Sequence, residues 1–275
     1  MFVCRPLAPE AAVRIAFVLL AAVLVGSLAP LAGEDRSANR SLRVLTYNIH
    51  HGEGTDGKVD LARIAKVIAA ADPDLVALQE VDNKTKRTGG VDQTAELAKL
   101  TKTHGKFGKA IDFEGGGYGQ AILSKYPLGD LTVQTLPGEP RSEQRVAAAA
   151  EVTLGGDSRK VLFVTTHLHH QSDELRQKQA AKLDELFAKS KRPVIAAGDL
   201  NARPDSKPLA VLAKNWTPAT TGQPLLTFPA AKPTRQIDYV LHRPADKFKV
   251  IEAKVVEEAV ASDHRPLLVV LEWPE

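Results

Sequence analysis

One cysteine, Cys4, stands in the 275-residue sequence, and aromatic residues make up only 5% of it. Cys4 lies in an N-terminal stretch expected to be removed, so the mature chain would hold no thiol nucleophile and no disulfide. Its core alone must then supply stability. There is no Gly-x-Ser-x-Gly elbow for serine acyl transfer, and no Gly-x-x-x-x-Gly-Lys-Ser/Thr loop for nucleotide phosphates. His-Glu-x-x-His, the helical zinc signature, is also missing. Charge of one sign is scarce as well. The formal balance is +3, and +2 once residues 1–32 with Arg5, Glu10 and Arg14 are set aside. Such a balance announces no broad phosphate-binding field. No internal repeat and no low-complexity segment occurs.

What is present begins with an address. Arg5 and Arg14 precede the apolar stretch from Ile15 to Ala32, and the acidic pair Glu34-Asp35 comes only afterwards. This is the layout of a secretory signal, expected over residues 1–32, and a polar linker follows over 33–41. An uncleaved anchor is the rival, because the stretch is just long enough to span a bilayer. The expected location is therefore the periplasm or the exterior, either free or anchored. Residues 42–275 are expected to form one domain.

That domain alternates apolar runs with amphipathic ones. Strands are expected at Arg43 to Ile49, Asp74 to Gln79, Gly117 to Ser124, Leu131 to Leu136, Val146 to Leu154 and Lys160 to Thr166. Further strands are expected at Val194 to Ala197, Gln236 to Leu241, Lys249 to Val256 and Leu267 to Leu271. Helices are expected over Asp60 to Ala71, Thr94 to Thr103 and Ser172 to Lys189. The irregular alternation indicates a mixed α/β class with two packed sheets and helices outside.

Several strands end on the same chemistry. Asn48 closes "RVLTYN", Glu80 closes "LVALQE", His167 closes "VLFVTTH", and Asp199 and Asn201 close "VIAAGDLN". Asp238 stands in "RQIDYVL", and Asp263-His264 precede the last strand. Each alone reads as a residue satisfying loop backbone. Gathered at one end of two sheets, they would form an oxygen-rich pocket with two imidazoles. Hard oxygen ligands suit Mg²⁺, Mn²⁺ or Ca²⁺. Such a set matches metal-assisted attack of water on a phosphate ester, with a His–carboxylate pair to take the proton.

The order Asn48, Glu80, His167, Asp199-x-Asn201, Asp238, Asp263-His264 resembles the endonuclease/exonuclease/phosphatase superfamily of DNase I-like phosphoesterases. Gly-Asp-Leu-Asn and Ser-Asp-His-x-Pro are its most specific pieces, and the resemblance covers about residues 42 to 273. It implies a four-layer α/β sandwich with two mixed sheets inside. It further implies Glu80 as the principal metal ligand, with Asn48 beside it and Asp263 near the metal and the attacking water. His264 would be the general base and Asp238 the carboxylate that orients it. Asp199 would position the nucleophile or help hold metal, Asn201 would contact the phosphate, and His167 would stabilise it or assist the leaving group.

Arg145 and His51 are weaker substrate-binding candidates, with a surface ion pair as the alternative for Arg145. His50 shares the pocket question with His51, and Tyr118 and Gln120 divide between packing and substrate. His169 and His170 read as a solvated loop or rim, and Arg176 and Gln179 as the polar face of their helix. The expected activity is a phosphodiesterase of nuclease or lipid type; a phosphomonoesterase is the enzymatic alternative and a non-catalytic module the other. A complete set of site residues argues against the module. No obligate protein partner is implied, and a monomer is expected.

Overall fold

In a computed structural model, residues 1–3, 41–154 and 159–273 are described. Apart from Met1–Val3 and Ser41, the expected signal and linker lie outside them. All elements below belong to one compact unit with bounds Arg36–Glu275.

Among the described residues, twelve strands fall into two six-stranded sheets. The first contains β1 (Ser41–Asn48), β2 (Leu75–Asn83), β3 (His104–Phe113), β4 (Gly116–Ser124), β11 (Lys249–Val255) and β12 (Leu267–Glu272). Their order is β11-β12-β1-β2-β4-β3. The second contains β5 (Leu128–Thr135), β6 (Val146–Thr153), β7 (Lys160–His167), β8 (Val194–Asp199), β9 (Thr217–Pro218) and β10 (Asp238–Arg243), in the order β5-β6-β7-β8-β10-β9. Each sheet is mixed: β1 and β2 are parallel, as are β7 and β8, and the remaining pairings are antiparallel.

Helices α1 (Leu61–Ala71) and α2 (Gln93–Thr101) cover the first sheet, and α3 (Asp173–Phe187) and α4 (Lys207–Leu212) the second. Asp60, Asp92 and Ser172 cap the first three through side-chain oxygens, which satisfies otherwise orphaned N–H groups. The result is the expected four-layer α/β sandwich.

Burial on both faces explains the unbroken apolar runs. Along β1, Leu42 and Val44 face the core between the sheets, and Leu45 and Tyr47 face α1. The alanine run of β6 divides in the same way: Ala150 joins the central core, and Ala147 and Ala149 pack toward α3. Strand β3, absent from the expected set, is an edge strand paired only with β4. Its burial is patchy, so it carries no strong alternation. Helix α4 is short and starts beside Pro208. Residues Gly52, Gly54 and Gly57 share the spacing of a dinucleotide-binding turn. Helix α1 nevertheless begins at Leu61 behind an acidic cap: Asp60 accepts from Arg63 N at 2.9 Å, which disfavours an anion there.

Candidate active site

Strand register builds half of the site. His167 pairs directly with Asp199 across the parallel β7–β8 ladder, and Asp199 pairs with Asp238 across β8–β10. The three side chains therefore form one row at a single end of the second sheet. Gly198 makes that row attainable. A Cβ at this position would sit 1.9 Å from the Thr166 carbonyl oxygen, so any side chain would wedge β7 from β8.

His264, in the loop before β12, reaches this row. Its Nδ1 lies 2.9 Å from Asp238 Oδ2, which also accepts from the Thr227 hydroxyl at 2.5 Å. The Asp263 carboxylate instead lies beside the Ser262 hydroxyl, at 3.4 Å, while the Asp263 carbonyl accepts from Ala230 N. The imidazole partner is thus the residue distant in sequence. A proton on Nδ1 directed at Asp238 leaves the Nε2 lone pair free, and Nε2 lies 3.7 Å from Asp199 Oδ2. The Phe228 ring packs against the imidazole with centroids 4.7 Å apart.

Asn201 follows with a left-handed backbone (φ 48°), a conformation that Asn tolerates. Its N–H donates to Asp199 Oδ1 at 2.8 Å, and its Nδ2 reaches the Leu168 carbonyl at 3.2 Å and His167 Nε2 at 3.0 Å. A carbonyl only accepts, so the amide orientation is fixed, and His167 Nε2 must also accept. Burial, then Arg145 and His264, holds His167 well below the ordinary imidazole range.

The first sheet supplies the other half. Asn48 ends β1, accepts from His50 N at 3.1 Å through Oδ1, and turns Nδ2 to Glu80 Oε1 (3.0 Å) and Asp199 Oδ2 (3.3 Å). That last bond joins the two sheets. Strand β2 does not stop near Gln79 but continues to Asn83 past a register shift between Leu78 and Val81. Glu80 sits in this bulge with φ 57°. Gln79 remains buried, bonded to Thr46 and Thr165, while Glu80 is re-aimed to the site. His50 and His51 follow Asn48 with φ 45° and 44°. The ligand atoms of His50, His51 and Glu80 lie within 4.8 Å of one another, as do those of Asp199, Asp238 and His264.

The charge balance bears on cation binding. Asp199 is raised above the ordinary carboxylate range by burial and by Asp238. Burial opposes charge on His264, yet Asp238, Asp199 and Asp263 outweigh it and push the imidazole up to about 10. Asp238 Oδ1 is buried and lacks a hydrogen-bond partner among the described residues. Carboxylates this crowded hold more negative charge than one imidazolium neutralises. The donor set therefore fits a divalent cation, to which Glu80 and Asp199 could offer carboxylate oxygens and Asn48 its Oδ1 once the amide turns over.

Other expectations need correction. Arg145 forms no surface ion pair: it is 3% exposed, with Nη1 2.8 Å from the Glu143 carboxylate and Nη2 3.5 Å from His170 Nδ1. His169 is buried, not solvated, and its Nδ1 accepts from the backbone N–H groups of Gln171 and Ser172. Gln179 is fully buried and bridges His169 N and the Pro137 carbonyl, so it ties α3 to the site loop. Arg176 donates to the His169 carbonyl. Thr227, Phe228 and Ser262 escaped the sequence reading. Ser262 lies within the Ser-Asp-His motif and donates to the Asn48 carbonyl at 2.7 Å.

Fold and site together define a DNase I-like α/β sandwich carrying an acidic, imidazole-containing centre at one end of its paired sheets. The chain belongs to the Endonuclease/Exonuclease/phosphatase family, whose model matches residues 45–264. It is 25% identical over 248 residues to the uncharacterized protein YbhP of Escherichia coli K12, spanning 85% of this chain and 97% of that protein. An endonuclease/exonuclease/phosphatase from Beutenbergia cavernae shares 28% identity at a TM-score of 0.70, covering 85% of this chain and 72% of that one. The mannosyl-6-phosphatase Bt3783 of Bacteroides thetaiotaomicron shares the fold at a TM-score of 0.69, with 18% identity, covering 84% of this chain and all (100%) of that one. Members of this family hydrolyse phosphoesters, typically with a divalent metal.

Proposed function

We propose that the chain is a divalent-cation-dependent phosphodiesterase in which His264 takes the proton from the attacking water. The buried His264–Asp238 contact at 2.9 Å carries this reading. Asp238 fixes the proton on Nδ1, and Thr227 fixes Asp238. Nε2 then faces Asp199, and the carboxylate can orient a water toward the imidazole. A cation held by Glu80 and Asn48, with Asp199 beside them, supplies neutralisation of phosphoryl oxygens and of leaving-group charge when bound. Carboxylates neutralised in this way would hold the His264 proton less tightly, leaving the imidazole free to act as base. Asn201 steadies the neutral His167 ring, whose Nε2 accepts from it; an anionic ester beside the ring favours protonation, and Nε2 then releases Asn201 and donates.

The diester reading follows from modest charge: Arg145 is the buried guanidinium beside His167, and Glu143 already offsets it. A monoester dianion is the second reading, supported by that same guanidinium once Glu143 turns away. Export through residues 1–32 belongs to the proposal and is checked by cell fractionation. Purified protein should hydrolyse bis(p-nitrophenyl) phosphate with Mg²⁺ or Mn²⁺ and stop on addition of EDTA. Activity indifferent to the chelator would defeat the reading. A preference for p-nitrophenyl phosphate would select the monoester alternative. A parallel panel of plasmid DNA, RNA, sphingomyelin, phosphatidylinositol and inositol polyphosphates then narrows the substrate.

A further inference from the structure

We infer that His50 and His51 join Glu80 in one mixed imidazole–carboxylate site, so that the cation at Glu80 is a first-row transition-metal ion rather than Mg²⁺. The inference rests on the reading of Glu80 as a cation ligand and extends it to the identity of the ion. Its starting point is proximity: one ligand atom from each of the three side chains lies within 4.8 Å of the others.

The second observation is how the rings are held. His50 Nδ1 faces the Glu53 carbonyl at 3.2 Å, and His51 Nε2 lies 3.3 Å from the Glu53 carboxylate. One residue thus engages one nitrogen of each imidazole. Metal-ligating histidines are oriented in this way, the outer nitrogen bonded to a carboxylate or carbonyl and the inner one left to the metal. Nδ1 of His51, the nitrogen that Glu53 does not engage, is available for the second part. His51 is 8% exposed, and its Nδ1 is buried with no hydrogen-bond partner among the described residues. A buried imidazole nitrogen without a partner costs free energy that coordination would remove.

Two consecutive left-handed residues turn the chain sharply after Asn48 and leave the ring centroids 4.5 Å apart. The consequence for selectivity follows from ligand chemistry. Mg²⁺ prefers oxygen donors and retains its waters, whereas imidazole suits the later first-row divalent ions, and Mn²⁺, at the weak end of that series, serves as their spectroscopic probe.

The test is Mn²⁺ bound to the full chain, read by pulsed electron paramagnetic resonance and by competition with Mg²⁺. The expected spectrum shows imidazole ¹⁴N coupling, and Mn²⁺ binds at least tenfold more tightly than Mg²⁺. The double substitution His50→Asn, His51→Asn should abolish the coupling and the preference; Asn accepts the left-handed backbone, and circular dichroism confirms folding. His264→Ala should retain the coupling. Wild-type Mn²⁺ without nitrogen coupling, or coupling that survives the double substitution, overturns the inference. That result beside EDTA-sensitive hydrolysis leaves the proposed function standing. Nitrogen coupling without phosphoester hydrolysis defeats the function and leaves this site.

Discussion

On the second sheet, His167, Asp199 and Asp238 occupy directly paired positions of regular ladders. On the first sheet, Glu80 projects from a bulge, and His50 and His51 occupy consecutive left-handed positions. The regular half is almost wholly buried, and each of its three side chains lies within hydrogen-bonding or ion-pairing reach of another site group. The irregular half is more open, with His50 and Glu80 only partly buried. Proton handling needs fixed tautomers and short, constant distances, which register supplies. Cation binding, as proposed for the irregular half, needs side chains aimed where a regular strand would not send them, and backbone held in rare conformations would achieve that at some cost in stability.

Four substitutions or conditions test this division. His264→Ala should lower turnover by about 10³-fold with the fold intact, as expected for loss of a general base. Full activity in that variant, measured with bis(p-nitrophenyl) phosphate, would remove the regular half from the chemistry. Gly198→Ala places a methyl against the Thr166 carbonyl and should destabilise by about 3 kcal/mol in urea unfolding. A neutral result would mean that the β7–β8 register tolerates separation.

The next effect is one of pH. Folding raises Asp199 above 3.8 and His264 above 6.5, to about 10, so the folded state binds protons more tightly at both sites. Their contribution is present at low pH and is lost as pH rises, first toward about 7 at Asp199 and then toward about 10 at His264. Above the range in which the depressed His167 acts in the opposite sense, metal-free protein should therefore melt about 5 °C lower at about pH 9 than at about pH 7, and added Mn²⁺ should recover the loss. A flat or rising melting temperature contradicts the charge balance derived for the site. The smallest effect is expected at Glu80. Glu80→Asn should raise metal-free stability by about 1 kcal/mol, because Asn suits φ 57°, and should lose the cation. Destabilisation there would show that the irregular half is not strained.

The strands that bury both faces were legible in the sequence because they are unbroken apolar runs. Their polar terminal residues were equally visible, and all gather at one end as the layers require. Strand β3 was hidden because an edge strand with one neighbour needs no buried alternation. The burial of His169 and Gln179 was hidden for another reason: each is satisfied by loop backbone, and the sequence does not print which backbone groups need partners. Arg145 likewise betrays its burial only through Glu143, two residues away, whose carboxylate offsets its charge. The bulge at Glu80 left no mark either: the strand was expected to end at Gln79, and nothing in "QEVDN" signals that it continues to Asn83 after residue 80 changes face.

Strand β12 lies between β11 and β1, so β1, the first strand of the described domain, gains this neighbour only from a segment far along the chain. His264 is the third residue before that strand. A growing polypeptide can assemble β5 to β10 first, but it holds no imidazole against Asp238 until His264 has left the ribosome. The proposed base is thus missing from every shorter nascent chain, and a ribosome stalled before Leu267 would carry a chain unable to close the first sheet around β1.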